Sequence, residues 1–283
     1  MAISAQDVKK LRDLTGAPMG ECKAALEEAN GDFEAAQNIL REKGQAAAAK
    51  RAGRSTSEGA ALIALSGDSS KAAGLILESE TDFVANNDNF KELSSKLVNG
   101  LLTADLGSDP MAATIDGTSV AKLVEEGVAL MRENIQLKKA IQVEGEFVGG
   151  YTHHDRKSSA LVVFAGKHDK AAEIAKNIGM QVVSLRPSFL TKEEIPAEVI
   201  DKEYELQKRR AIEEGKPENI AENIAKGRIN KEFFQEAVLL EQPYFIDSKR
   251  TVAQYVKDES GGALEIKSFV RLAVGESSDE SGE

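Results

Sequence analysis

Tryptophan is absent from this sequence, and four tyrosines and ten phenylalanines are the only other large rings among 283 residues. Without rings to fill wide cores, the interior must rest on Leu, Ile, Val and Ala. That favours small, helix-rich units, and a chain of this length accommodates about two to four of them. Cysteine is rarer still: Cys22 stands alone, which excludes an internal disulfide framework and fits a reducing compartment. No apolar run approaches the roughly 20 residues of a membrane span. The opening MAISAQDVKKLRDLTG has neither an apolar signal core nor an Arg-rich, acid-poor transit pattern, so a cytoplasmic protein without a membrane partner is expected. Positive charge is also in deficit, with 36 Lys and Arg against 47 Asp and Glu and a net charge of −11. Phosphate-backbone binding needs clustered cations, so no direct nucleic-acid partner is expected.

Catalytic signatures are missing as well. There is no G-x-x-x-x-G-K-[ST] or G-x-G-x-x-G phosphate cradle, no G-x-S-x-G, no H-E-x-x-H and no C-x-x-C. His153, His154, Asp155 and His168 suggest a metal at first sight, but adjacent histidines on a strand or turn are expected to point apart and make a poor ligand set. Cys22 sits on an apolar helix face and reads as core rather than nucleophile. Asp82 beside Glu80 and Glu78 reads as a solvated loop rather than an acid/base pair. The expectation is a protein that is not an enzyme and uses no metal or cofactor.

What is present begins with three short helices over residues 1–44. Ser4 caps the first, with Val8, Leu11 and Leu14 at helical spacing. Gly16 stops it, and Pro18 suits the start of a second helix carrying Met19, Cys22, Ala25, Leu26 and Ala29. Asp32 caps a third with Phe33, Ala36, Ile39 and Leu40, closed by Gly44. So small a bundle is marginal alone and suits presenting a face to a partner. Residues 45–58 read as a linker, Ala-rich and open to helix in its first half, flexible in its Ser, Gly and Arg-rich second half.

Two later stretches resemble one another. KAAGLIL (71–77) followed by ELSSKLVNGLL (92–102) parallels KSSALVV (157–163) followed by EIAKNIGMQVV (173–183). Each is a buried-type strand leading to an amphipathic helix, which predicts two related α/β core subdomains, over 59–145 and 146–276. The first copy has the longer strand-to-helix connection, and its extra residues fall where TDFVA stands. Loops tolerate insertions at little cost and often carry function, so this one, bearing Phe83, is a candidate probe. Residues 119–145 read as a helix turning into a strand near Ala140. Residues 196–235 read as an antiparallel helical hairpin broken at Gly215 and Pro217, with Val199, Ile200, Leu206 and Ile212 on one side and Ile220, Ile224 and Ile229 on the other. The sequence leaves open whether those faces pack on each other, on the core or on a second copy, so a homodimer stays open. LEIKSFVRLAVGE (264–276) alternates as a strand, and the acidic tail SSDESGE (277–283) is expected to be disordered. The fold class expected is α+β: a three-helix module, two core subdomains with antiparallel strands, and an inserted helical hairpin.

Taken in order, LRDLTGAPMGECKAALEEANGDFEAAQNIL (11–40), ESETDFVANNDNF (78–90), GGYTHHD (149–155), GKPENIAENIAKGRINKEFF (215–234) and LLEQPYFIDSKRTVAQYVK (239–257) resemble bacterial translation elongation factor Ts. That family comprises the nucleotide exchange factors of the GTPase elongation factor Tu. The resemblance implies that the N-terminal module is similar to a ubiquitin-associated domain and docks on the partner, here through Leu14, Met19 and Cys22. It implies that the loop Thr81, Asp82, Phe83, Val84 and Ala85 enters beside the partner's magnesium site, and that His153, with His154 as the alternative, disturbs its phosphate-binding region. The implied partner is elongation factor Tu, GDP-bound and nucleotide-free. Gly20 departs from the second apolar residue that many relatives carry after Met19. A rival reading is an adaptor that takes ubiquitin-like or peptide ligands on the three-helix module, but it leaves the long TDFVA connection unexplained. A further rival is a hydrolase using Asp82, His153 and His154.

Overall fold

The computed structural model describes residues 3–276, apart from the side chains of residues 45 and 47–49; the acidic tail, residues 277–283, lies outside the described residues. Helices α1 (Ala5–Thr15), α2 (Met19–Glu28) and α3 (Phe33–Arg51) form the N-terminal module. Ser4 and Asp7 make a reciprocal capping box at the start of α1, Gly16 ends it in the left-handed region at φ 68°, and the Asp32 carboxylate accepts from Ala35 N–H at 2.9 Å ahead of α3. Val8, Leu11, Cys22, Ala25, Leu26, Ala36 and Leu40 fill its core. α3 does not stop at Gly44. The following alanines sustain the helix, and Gly44 is instead a crossing point, where an added Cβ would lie 3.2 Å from the Ala129 side chain.

The core holds two small three-stranded sheets. One has the order β1-β2-β5, built from β1 (Glu58–Leu65), β2 (Lys71–Ser79) and β5 (Ile135–Glu144). Between β2 and β5 run α4 (Asp82–Ala85), α5 (Asp88–Leu101), a tight hairpin of β3 (Thr114–Ile115) and β4 (Thr118–Ser119), and α6 (Val120–Met131). β5 starts at Ile135 rather than near Ala140, because Arg132 adopts φ 62° and ends α6 abruptly. The second sheet has β6 (Phe147–Thr152), β7 (Ser158–Ala165) and β10 (Glu265–Ala273), with β7 in the middle and antiparallel to both neighbours. The repeated sequence stretches occupy equivalent places: β2 and β7 are each the central strand, and each leads to an amphipathic helix, α5 or α7 (Ala171–Leu185). α7 lies so close to β6 that a Cβ on Gly179 would sit 2.9 Å from the Tyr151 backbone nitrogen.

α8 (Ala197–Glu213) and α9 (Glu218–Arg228) form the inserted hairpin, which returns through a π-helical turn (Ile229–Phe233) and α10 (Phe234–Ala237) to β8 (Pro243–Tyr244), β9 (Asp247–Thr251) and α11 (Val252–Ser260). Its buried positions include Ala211, Ala221 and Ala225. Of the residues read from the sequence as the apolar faces, Ile229 is buried and Val199, Ile200 and Ile224 are half-buried, while Leu206, Ile212 and Ile220 are exposed. Alanines let helix backbones approach closely, and larger residues beside them are displaced to the flanks. The chain packs into two compact units: one holds residues up to Ala60 with Leu75–Ile141, the other Ala61–Gly74 and the chain from Gln142. Among the described residues no helix is long and apolar enough to cross a membrane.

Candidate functional site

T-D-F-V-A is not an open loop. Thr81, in extended conformation, caps a single helical turn, α4, by accepting from Val84 N–H at 3.3 Å. The turn is closed by Asn86, whose amide donates to the Asp82 carbonyl at 2.9 Å, and Asn87 then caps α5 through Asn89 N–H. Each Thr or Asn satisfies backbone groups that a short helix leaves unpaired. The turn therefore holds its shape without using the Phe83 ring.

Burial separates the five residues of the motif. Ala85 is buried and Val84 half-buried against the protein's own interior, so Ala85 presents almost no surface in the free protein. Thr81 is occupied in capping. Asp82 is exposed, and Phe83 has 84% of its surface in solvent. Phe90, in the same segment, is fully buried. Fully exposing a ring forfeits about 2 kcal/mol of burial, and here the interior is filled by Phe90 and Ala85 instead.

Beneath the turn lies a polar bracket that no periodicity in the sequence announces. Thr81 N–H and Oγ1 both donate to the Glu133 carboxylate, at 3.0 and 2.6 Å. The Glu80 carboxylate accepts from Asn134 N–H at 2.7 Å and from Arg54 at 3.3 Å. The buried Asn134 amide donates to the Arg54 carbonyl at 2.7 Å, and the buried Glu78 accepts from Thr56 Oγ1 at 2.8 Å. The sequence reading ran the helix on to near Ala140, which placed Glu133 and Asn134 inside it and hid the bracket.

On the N-terminal module Leu14 and Met19 are exposed, at 61% and 45%. Cys22, expected at the same face, is fully buried, and its thiol donates to the Ala17 carbonyl at 3.3 Å. It supports the α1–α2 turn from inside, with no surface exposed in the free protein. His153 lies in the β6–β7 turn, half-buried, its Nδ1 3.0 Å from the Tyr151 hydroxyl. The rings of His153 and exposed His154 do not point apart; their centroids are 4.3 Å from each other. β6 has ended at Thr152, so strand alternation no longer applies to them. Among the described residues no three His, Cys, Asp or Glu side chains converge to hold a metal.

The fold and these surfaces define an α+β protein whose distinctive feature is an exposed aromatic on a braced helical turn. The family model described as Elongation factor TS matches residues 80–276. The chain is 39% identical to Elongation factor Ts of Aquifex aeolicus, covering 97% of this chain and 99% of that protein. It is 41% identical to that of Christiangramia forsetii, over 96% and 99%, and 39% identical to that of Halothermothrix orenii, over 100% and 96%. The chain belongs to the elongation factor Ts family.

Proposed function

We propose that this protein is a guanine-nucleotide exchange factor for elongation factor Tu, releasing GDP so that GTP can rebind. The supporting observation is Phe83: a ring left in solvent on a turn that Thr81 caps and Asn86 closes. Its burial is reserved for another molecule. A GTPase holds GDP through backbone N–H groups, a lysine and Mg²⁺ that bridges protein and phosphate oxygens. A ring entering beside that metal, with the Asp82 carboxylate next to it, displaces groups that the bound nucleotide requires. Leu14 and Met19 supply a docking face on the N-terminal module, and His153 acts on the phosphate-binding region.

Burying the Phe83 ring contributes about 2 kcal/mol. At about 1.4 kcal/mol per decade that alone supports a coupling of about thirtyfold between factor and nucleotide. Phe83→Ala therefore slows factor-stimulated GDP release about tenfold or more while leaving thermal stability unchanged, because the ring makes few contacts in the free protein. Stopped-flow release of a fluorescent GDP analogue from elongation factor Tu measures this; a wild-type rate for the variant would refute the reading.

A further inference from the structure

We infer that Glu133 is a positioning residue for exchange: it fixes the helical turn that presents Phe83, and it acts only through that turn. The inference rests on the exchange reading above. Arg132, Glu133 and Asn134 are consecutive, and each reaches a different part of the same compact unit. The Arg132 guanidinium pairs with Glu21 on α2 of the docking module. Glu133 receives both the backbone N–H and the hydroxyl of Thr81. Asn134 holds Glu80 through its N–H and the Arg54 carbonyl through its amide. The left-handed backbone of Arg132, at φ 62°, turns the chain sharply between the first contact and the others.

The hydrogen-bond chain has a direction. Val84 N–H donates to Thr81 Oγ1, and Thr81 Oγ1 donates to Glu133. An ionised carboxylate is acceptor-only, so it commits the hydroxyl proton outward and leaves the oxygen lone pairs to cap α4. Removing Glu133 frees that proton to rotate and leaves Thr81 N–H unpaired. The cap loosens, and with it the turn that carries Asp82 and Phe83. The other supports of the turn, the Asn86 amide on the Asp82 carbonyl and buried Ala85, act at its C-terminal end and leave the Thr81 end to Glu133, whereas the docking module keeps its own core.

Maximal rate and half-saturating concentration therefore respond differently. In stopped-flow GDP release from elongation factor Tu, Glu133→Ala lowers the maximal rate about tenfold and shifts the half-saturating concentration less than about twofold. In a Phe83→Ala background the same substitution costs less than about twofold, since there is no ring left to position. Thr81→Val, which keeps shape and removes the hydroxyl, reproduces the loss if Glu133→Ala folds poorly, and Thr81→Ser restores the rate. Equal losses from Glu133→Ala with and without Phe83, or a loss confined to the half-saturating concentration, overturn the inference. A slow Phe83→Ala beside a normal Glu133→Ala and Thr81→Val overturns it alone. A normal Phe83→Ala overturns the exchange reading beneath it.

Discussion

Phe83 and Phe90 share one segment and meet opposite fates, the first in solvent and the second fully buried. Phe90 belongs to the face of α5 that also buries Leu97 and Leu101, while Phe83 lies on a turn whose inward position is taken by Ala85. The polar surroundings of Phe83 made its exposure legible in the sequence. The bracket beneath it was not, since Thr81 and Glu133 lie 52 positions apart and a hydrogen bond at that separation leaves no periodic trace. A second residue-scale consequence concerns Asp68 in the β1–β2 turn. Its carboxylate accepts from Ser66 Oγ, Ser70 N–H and Ser70 Oγ, and these bonds, Ser66 first, lower its pKa from 3.8 to about 2. A depressed folded-state value means that the contribution to stability is complete above the unfolded value and is lost as pH falls through the folded one. Asp68→Asn is therefore less stable than wild type at neutral pH, and the gap closes between about pH 4 and about pH 2. Denaturant midpoints across that range measure it; a gap that stays constant would show that the turn bonds do not depend on charge.

At the scale of elements, small residues decide the packing. Alanines take three of the four buried positions of α8 and α9, Gly44 marks where α3 crosses α6, and Gly179 lets α7 lie on β6. A sequence reading that follows large apolar residues places the elements but not every position on their faces: Ile229 is buried, whereas Leu206, Ile212 and Ile220 are exposed. It also stopped α3 at a glycine that the neighbouring helix requires. The repeat was readable because both copies bury their central strand on both faces, leaving apolar runs in β2 and β7. Gly179→Val is expected to destabilise the protein by about 2 kcal/mol or more, because the new side chain meets the Tyr151 backbone rather than a movable side-chain tip. Thermal unfolding checks this, and an unchanged melting temperature would mean that α7 slides at little cost. Tyr151 also contacts His153, so the same variant is expected to reduce exchange activity even where it remains folded.

For the whole molecule, coupling with the proposed partner must be reciprocal. The factor by which this protein weakens GDP binding to elongation factor Tu equals the factor by which GDP weakens the complex. Phe83→Ala is expected to shrink both by the same amount, read by titrating the complex with and without GDP. A coupling that stays at the wild-type value while GDP release slows would place the role of the ring in kinetics alone. The net charge of −11 adds long-range forces to the encounter, screened within about 10 Å at 0.1 M salt. The contacts proposed for Phe83 are short-range and apolar, so salt is expected to act on association more than on the maximal rate.

The seclusion of Cys22 has a practical corollary. Its sulfur is the chain's single thiol and lies wholly inside the three-helix module, so maleimide dyes that attack accessible thiolates pass over it in the native protein. One cysteine placed in solvent, for instance by Asn89→Cys beside the Phe83 turn, would carry a fluorophore alone, with the wild-type chain as its own unlabelled control.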